Sequence, residues 1–575
     1  MGEAAKEIKP YYGALPPLKP AKEVPSPKGV MEIMGPGWIL VGLSIGSGEL
    51  LMWPTMTMQF GYILLWAMLL GVTLQFFWNT ELVRWTVITG ESYIQGMARM
   101  PPGPKFWVPW FLLIGTWGFI WPGWGMGAGD AMWLMFGGWG DPVAWRTLGF
   151  IFCLIVILAG KIVREPFEKI MMIVSIWFTV TLIVSAIYLI AAMPPIEIEL
   201  LVHPSKAHLV DKIIELHPDW YAELAAGGYY FIHTGQYVTV DTRALVGTYI
   251  WGLFGGGAGL IPWEKVDYVL LGAGIAYAGA GGIYNVYYSY WARDKGWGMG
   301  QYIGRIAGIR GKLETVSDVG FWPEPTPENI SRLKKWIFNY EWKENFLIWY
   351  VLDAATLILF TFIAGAIFYY PYMTDQVRAL YQQVYAELGD FWNPLNKDFV
   401  TGTLPTFNPI GMPTKHITGP LGEARMFQLW MGPAGWWMFM IMAAMVLWST
   451  HISILEGGAR MWADSIWCFT PGLREKKPSI RFWYYLVFFI FFIWGLIIIW
   501  TRMPTLRVLA IGASIQLAVQ WSSVITVPWM YKKLIPKELY KDLGPAYWRW
   551  PLFIIAFGFW FWAFAMFVGR LAGVV

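Results

Sequence analysis

Apolar residues occur along this chain in blocks long enough to cross a bilayer, for which roughly 20 residues suffice. Eleven such blocks are read as membrane-spanning helices: 34–58, 60–83, 107–136, 146–160, 168–192, 268–291, 347–370, 430–456, 483–500, 506–529 and 551–569. The fourth is short and must draw on its neighbours to span. Residues 1–33 carry scattered proline and no apolar core, which predicts a flexible tail. Residues 224–260 are apolar but glycine-rich, and His233, Asp241 and Arg243 interrupt them. They are expected as a re-entrant or surface-lying element within the loop 193–267. The reading is an all-α polytopic membrane protein.

Composition strengthens this picture. Of the 575 residues 57% are hydrophobic and 14% charged, against about 25% charged in soluble domains. With the tail placed in the cytoplasm, the segments 1–33, 84–106, 160–169, 292–346, 468–482 and 530–549 are cytoplasmic and hold most of the 42 Lys and Arg residues. That is the bias a positive-inside topology requires. The expected setting is the cytoplasmic membrane of a prokaryote, with membrane lipids as partners. The net charge of +4 comes with no basic stripe interleaved with aromatics, so no nucleic-acid partner is expected. Cys153 and Cys468 form neither a disulfide framework nor a CxxC site. The 39 tryptophans fit many interfacial positions, with Trp121 and Trp124 placed to line a cavity.

Polar interruptions inside spans mark candidate chemistry, because a bilayer tolerates unwound backbone only around a protein-lined or watery cavity. The first span carries Gly46, Ser47, Gly48 and Glu49 near its middle. An acid in hydrocarbon is costly and points to an ion or substrate path. The sixth span carries Gly279, Gly281 and Gly282, followed by Tyr284 and Asn285. Close helix packing is the other use of such glycines. Interruptions at positions one and six divide the first ten spans into two sets of five, 34–192 and 268–529. That spacing is expected of inverted repeats with a midplane binding site. The second set holds the long loops 292–346 and 371–429, and 530–575 supplies a loop and an eleventh helix. Gly46, Ser47, Glu49, Gly282, Tyr284, Asn285, Gln516 and Gln520 are the candidate binding residues. Glu49 and Asn285 are the candidate metal ligands. Asp130, His451 and Glu456 are further polar groups within spans, and Glu81 and Arg84, three apart, suit a gating or structural pair.

The first span also holds Gly35-Pro36-Gly37 and is followed by Gln59-Phe60-Gly61-Tyr62-Ile63-Leu64-Leu65-Trp66; the second ends in Val83-Arg84-Trp85-Thr86-Val87-Ile88-Thr89-Gly90. In the tenth, Ser514, Gln516 and Gln520 lead to Pro528 and Lys532-Lys533. In these features the chain resembles the Nramp family of divalent-metal transporters. The resemblance implies a LeuT-like five-plus-five inverted repeat with one added helix. The family's metal signature departs here. Gly46 stands where the family has aspartate, Glu49 where it has asparagine, and Gly282-Ile283-Tyr284 where it has Met-Pro-His. Trp121 and Trp124 fall where carboxylates line the family's proton route.

Losing the soft sulfur ligand shifts the expected cargo from transition metals towards a harder cation such as magnesium near Glu49, Asn285 and Gln520. An organic cation or zwitterion in an aromatic-lined cavity is the alternative. A non-transporting sensor or binding component is a third reading. The sequence expects transport driven by a proton or sodium gradient. HExxH and phosphate-cradling motifs are missing, so neither an enzyme nor a resident cofactor is expected.

Overall fold

The apolar run that opens at Pro36 stays helical only as far as Ser44, because Gly46 and Gly48 end it in mid-membrane. A computed structural model describes residues 8–27, 29, 33–46, 48–159, 165–202, 204–224, 228, 230–306, 311–312, 315–388, 424–425, 427–428 and 431–574. Helix α1 (Pro36–Ser44) is followed by a π-helical turn, Gly48–Met52, and then by α2 (Trp53–Phe60). Helix α3 (Leu65–Thr89) is unbroken.

The third expected span is two helices. Pro122 has no N–H to continue the ladder, so α4 (Pro104–Phe119) stops and α5 (Gly123–Met135) starts afresh. Helices α6 (Pro142–Ala159) and α7 (Glu165–Ala192) complete the first half. The sixth span divides as foreseen, into α8 (Tyr268–Ala276) and α9 (Ile283–Lys295). The seventh runs far beyond its expected start: α10 (Pro327–Phe338) continues through a π-helical stretch, Asn339–Tyr350, into α11 (Val351–Ala364). Helix α12 (Pro433–Phe469) extends well past Glu456, where the apolar run ends. It continues because Glu456 and Arg460 pair with one another inside the bundle. Helices α13 (Ile480–Trp500), α14 (Thr505–Leu534) and α15 (Trp550–Leu571) follow.

Among the described residues, eight helical segments are long and apolar enough to span a membrane. The remaining three expected spans fall short for physical reasons. Two are broken into short helices, and α3 carries Gln75, Asn79, Glu81 and Arg84 on its buried faces. The outer surface of the bundle is apolar. On α7, Ile173, Ile176, Val180, Val184 and Ile187 are exposed, the inverse of a water-facing helix and suited to lipid. The chain is an integral membrane protein.

The helical reading holds within the membrane, but two small sheets lie outside it. Residues 8–27, read as part of a flexible tail, lie along the bundle. There β1 (Lys19–Ala21) pairs in parallel with β2 (Phe321–Pro323), and Tyr11 N donates to Leu534 O at 3.1 Å. In the loop between the halves, β3 (Ile196–Val202), β4 (Tyr221–Leu224) and β5 (Tyr230–Val238) form an antiparallel sheet with β5 central. The stretch 230–253 is therefore strand β5 and a 12-residue helix, Thr242–Leu253, capped by Asp241. The helix packs on the bundle through Tyr249, whose hydroxyl donates to Ile358 O at 2.7 Å. Residues 225–227, 229 and most of 389–430 lie outside the described set.

Candidate functional site

The two interruptions meet. A Cβ on Gly48 would stand 1.8 Å from Tyr277 O, so only glycine lets the first break lie against the second. In the second break Gly279, Gly281 and Gly282 all adopt positive φ (137°, 86° and 58°), a region that favours glycine. The chain thereby leaves helix after Ala276 and re-enters it at Ile283.

Side chains of neighbouring helices satisfy the backbone groups that this unwinding frees. Gln75 of α3 does most of it. Its Nε2 donates to Ala276 O at 3.0 Å, and its Oε1 accepts from Gly281 N at 3.2 Å and Asn285 Nδ2 at 3.0 Å. Gln516 Oε1 accepts from Ile283 N at 3.0 Å, capping α9, and Gln520 Nε2 donates to Ala276 O at 3.3 Å. The sequence reading placed Gln516 and Gln520 at the break but missed Gln75. Its signal was available: Gln75 and Asn79 are four apart in an apolar helix and share a face.

At the first break, Glu49 is fully buried and its Oε2 accepts from Gly46 N at 3.1 Å. Asp353, on α11 and also fully buried, is its electrostatic neighbour. Glu49 Oε1 and both Asp353 oxygens have no protein partner among the described residues. Ser44 stands beside Asp353, donates to Leu40 O at 2.9 Å and accepts from Trp349 Nε1 at 2.7 Å. Two neighbouring acids in a dry site cannot both ionise without a compensating positive charge, which a bound cation or a proton supplies. Asp353 was overlooked in the sequence, although it is an acid within an expected span, the same signal that singled out Glu49.

Beside this pair Trp124, Tyr277 and Tyr284 form a cluster of rings with centroids 5.6–5.9 Å apart. With Ser44 and Thr450 they line a void of about 10 Å³, room for about one water. Asn285 Oδ1 and Gln520 Oε1 are buried oxygens without a protein partner among the described residues. Asn285 is tied to Gln75, and no hydrogen bond joins it to Glu49. Gly46 packs on Thr450 and Gly282 on Gln516. Ser47 lies outside the described residues.

The other polar candidates sit apart from the void. Asp130 accepts from Arg146 Nε at 2.6 Å and from Thr505. His451 packs on Phe150 with ring centroids 4.8 Å apart. Glu81 pairs with Arg84 at 2.6 Å and with Arg549 at 2.8 Å, and Arg549 also meets Glu341. Glu456 accepts from Trp291 Nε1 at 2.7 Å and from Arg460, which reaches Asp294. Arg293–Asp464 at 2.7 Å adds to these. The groups around Glu81, Glu456 and Arg293 tie spans together on the tail side of the breaks, and Asp130–Arg146 ties α5 to α6 at the opposite end.

Eight apolar spans among the described residues, with two abutting breaks and the buried acid Glu49 at the first of them, define a polytopic membrane protein. The same fold is found in the manganese transporter of Eremococcus coleocola. One single-site variant of that protein aligns with a TM-score of 0.52 at 11% identity, over 96% of this chain and 91% of the other. Its complex with an aromatic bis-isothiourea compound aligns at 0.52 and 12% identity, over 97% and 91%. The chain matches no protein-family model and no curated protein sequence.

Proposed function

We propose that the protein is a secondary transporter that moves a cation by alternating access, built as two inverted sets of five spans with an eleventh helix and its tail in the cytoplasm. The pairing of Glu49 with Asp353, two buried acids beside the first break, carries this reading. The polar groups at the two breaks offer oxygens: the carboxyl groups of Glu49 and Asp353 with the Ser44 hydroxyl at the first, and the amide oxygens of Asn285 and Gln520 at the second. Such a set suits a hard cation, and magnesium in particular retains part of its water. A void with room for about one water favours an ion over a larger solute. A proton or sodium gradient supplies the driving force. The Trp124–Tyr277–Tyr284 ring cluster supports a small organic cation as the second reading.

The test is uptake into proteoliposomes. Glu49→Gln should abolish or sharply reduce magnesium uptake with the thermal unfolding profile preserved. Undiminished uptake by a folded variant would refute the role given to Glu49.

A further inference from the structure

His233, which interrupts the apolar stretch 224–260, is buried on the sheet between the two halves, remote in sequence from the breaks. Strand register sets Glu199 directly across from it. Its Nδ1 faces Glu197 Oε2 and Glu199 Oε1, each at 3.3 Å. Its Nε2 faces Glu223 Oε2 at 3.1 Å. The Tyr221 ring stacks on the imidazole at 4.2 Å with an interplanar angle of 7°, fixing its plane.

We infer that Glu197, Glu199 and His233 form a second divalent-cation site, selective for a first-row transition ion such as zinc or manganese. Three observations support it. The three ligand atoms lie within 4.8 Å of one another. An ion about 2.1 Å from each ligand holds neighbouring ligand atoms about 3.0 Å (octahedral) to 3.4 Å (tetrahedral) apart, and the 3.3 Å separations fall in that range. They are long for hydrogen bonds.

The second observation is the surrounding shell. A metal-bound histidine characteristically donates its other N–H to a carboxylate. With Nδ1 turned to the ligand glutamates, Nε2–H is left to donate to Glu223. Arg425 braces Glu199 through two bonds, Nε to Oε2 at 2.9 Å and Nη2 to Oε1 at 2.6 Å. Its Nη2 also lies 3.2 Å from His233 Nε2 and 3.1 Å from Glu223; the carboxylates are its acceptors.

The third is charge. Three glutamates face one arginine, and with a neutral imidazole the excess of negative charge is what one divalent ion cancels. The mixed nitrogen and oxygen donors set this site apart from the all-oxygen one at the breaks and favour zinc or manganese over magnesium. An entry route exists. A cavity of about 550 Å³ opens beside Glu223 and Arg425, with Phe231, Trp436 and Trp437 on its walls.

The experiment uses the full-length protein in detergent, stripped with EDTA and titrated by calorimetry with zinc chloride or manganese chloride. In a Glu49→Gln background, which disables the proposed transport site, one equivalent should still bind. His233→Ala removes a ligand outright and should weaken that binding by more than the about 10–100-fold seen when only a supporting residue of a metal site is lost. Glu197→Gln provides a second variant if His233→Ala fails to fold. Binding by Glu49→Gln that survives both substitutions, or no zinc or manganese binding by Glu49→Gln at all, would overturn the site. Either result leaves the reading of the breaks standing, because that reading depends on magnesium uptake.

Discussion

Gly48 and Tyr277 meet backbone to backbone: a methyl group at Gly48 would stand 1.8 Å from the Tyr277 carbonyl oxygen. This contact brings the two unwound segments together and leaves Glu49 turned to Asp353 rather than to lipid.

Gly48→Ala should therefore force the breaks apart. Overpacking of this kind costs about 1–3 kcal/mol or more, and magnesium uptake should fall at least tenfold with a lowered melting temperature. Gly247, in the helix Thr242–Leu253, has open space around it. Gly247→Ala should leave uptake unchanged and stabilise the protein slightly. Equal effects from the two substitutions would argue against a critical contact at Gly48.

Gln75→Leu tests how the second break is held. It removes the partner of Gly281 N in a dry interior, where an unsatisfied group costs about 1–3 kcal/mol, and leaves Ala276 O with only the longer bond from Gln520. Hydrogen exchange should accelerate over residues 276–285 and not in α13. Unchanged protection there would show that Gln75 is not what satisfies the break.

The tail is pinned on its own face by an ion-pair group. Asp318, in the linker before β2, meets Arg474 and Lys19 of β1. Burial alone would raise its carboxyl pKa, but the two cations outweigh it and hold the group below its usual range. A depressed pKa contributes stability that is present above the unfolded value of about 3.9 and is lost as pH falls through the folded value. Asp318→Asn should lower the melting temperature at pH 7, and the difference from the parent should begin to shrink as pH falls below about 4 and vanish once pH is below the folded value. A difference that does not shrink as pH is lowered from about 5 towards about 2 would assign the effect to something other than this charge.

How much of this was legible in the sequence depends on what punctuates a helix. The breaks at 46–49 and 279–285 were readable because glycines interrupt apolar runs beside Glu49 and Asn285. Gln516 and Gln520 were readable from their shared face. Asp353 and Gln75 lie in continuous helices with no break to flag them, and each meets a partner far along the chain. Pro122 marked the break in the third span, but the surrounding tryptophans kept the block apolar. The sheet was overlooked although Ile196–Val202 partly alternates (IEIELLV), because its strands are short and lie in a long loop. Within α12, Glu456 read as the end of the span, when in fact it and Arg460 neutralise one another inside the bundle.

The central claim is that a cation sits between Glu49 and Asp353. The most direct measurement is magnesium binding to purified Asp353→Asn, by calorimetry at constant pH. Affinity is predicted to fall at least tenfold, about 1.4 kcal/mol, with the melting temperature of the magnesium-free protein unchanged or raised, since one buried charge is gone. Binding by Asp353→Asn that is as tight as in the parent protein would contradict the account.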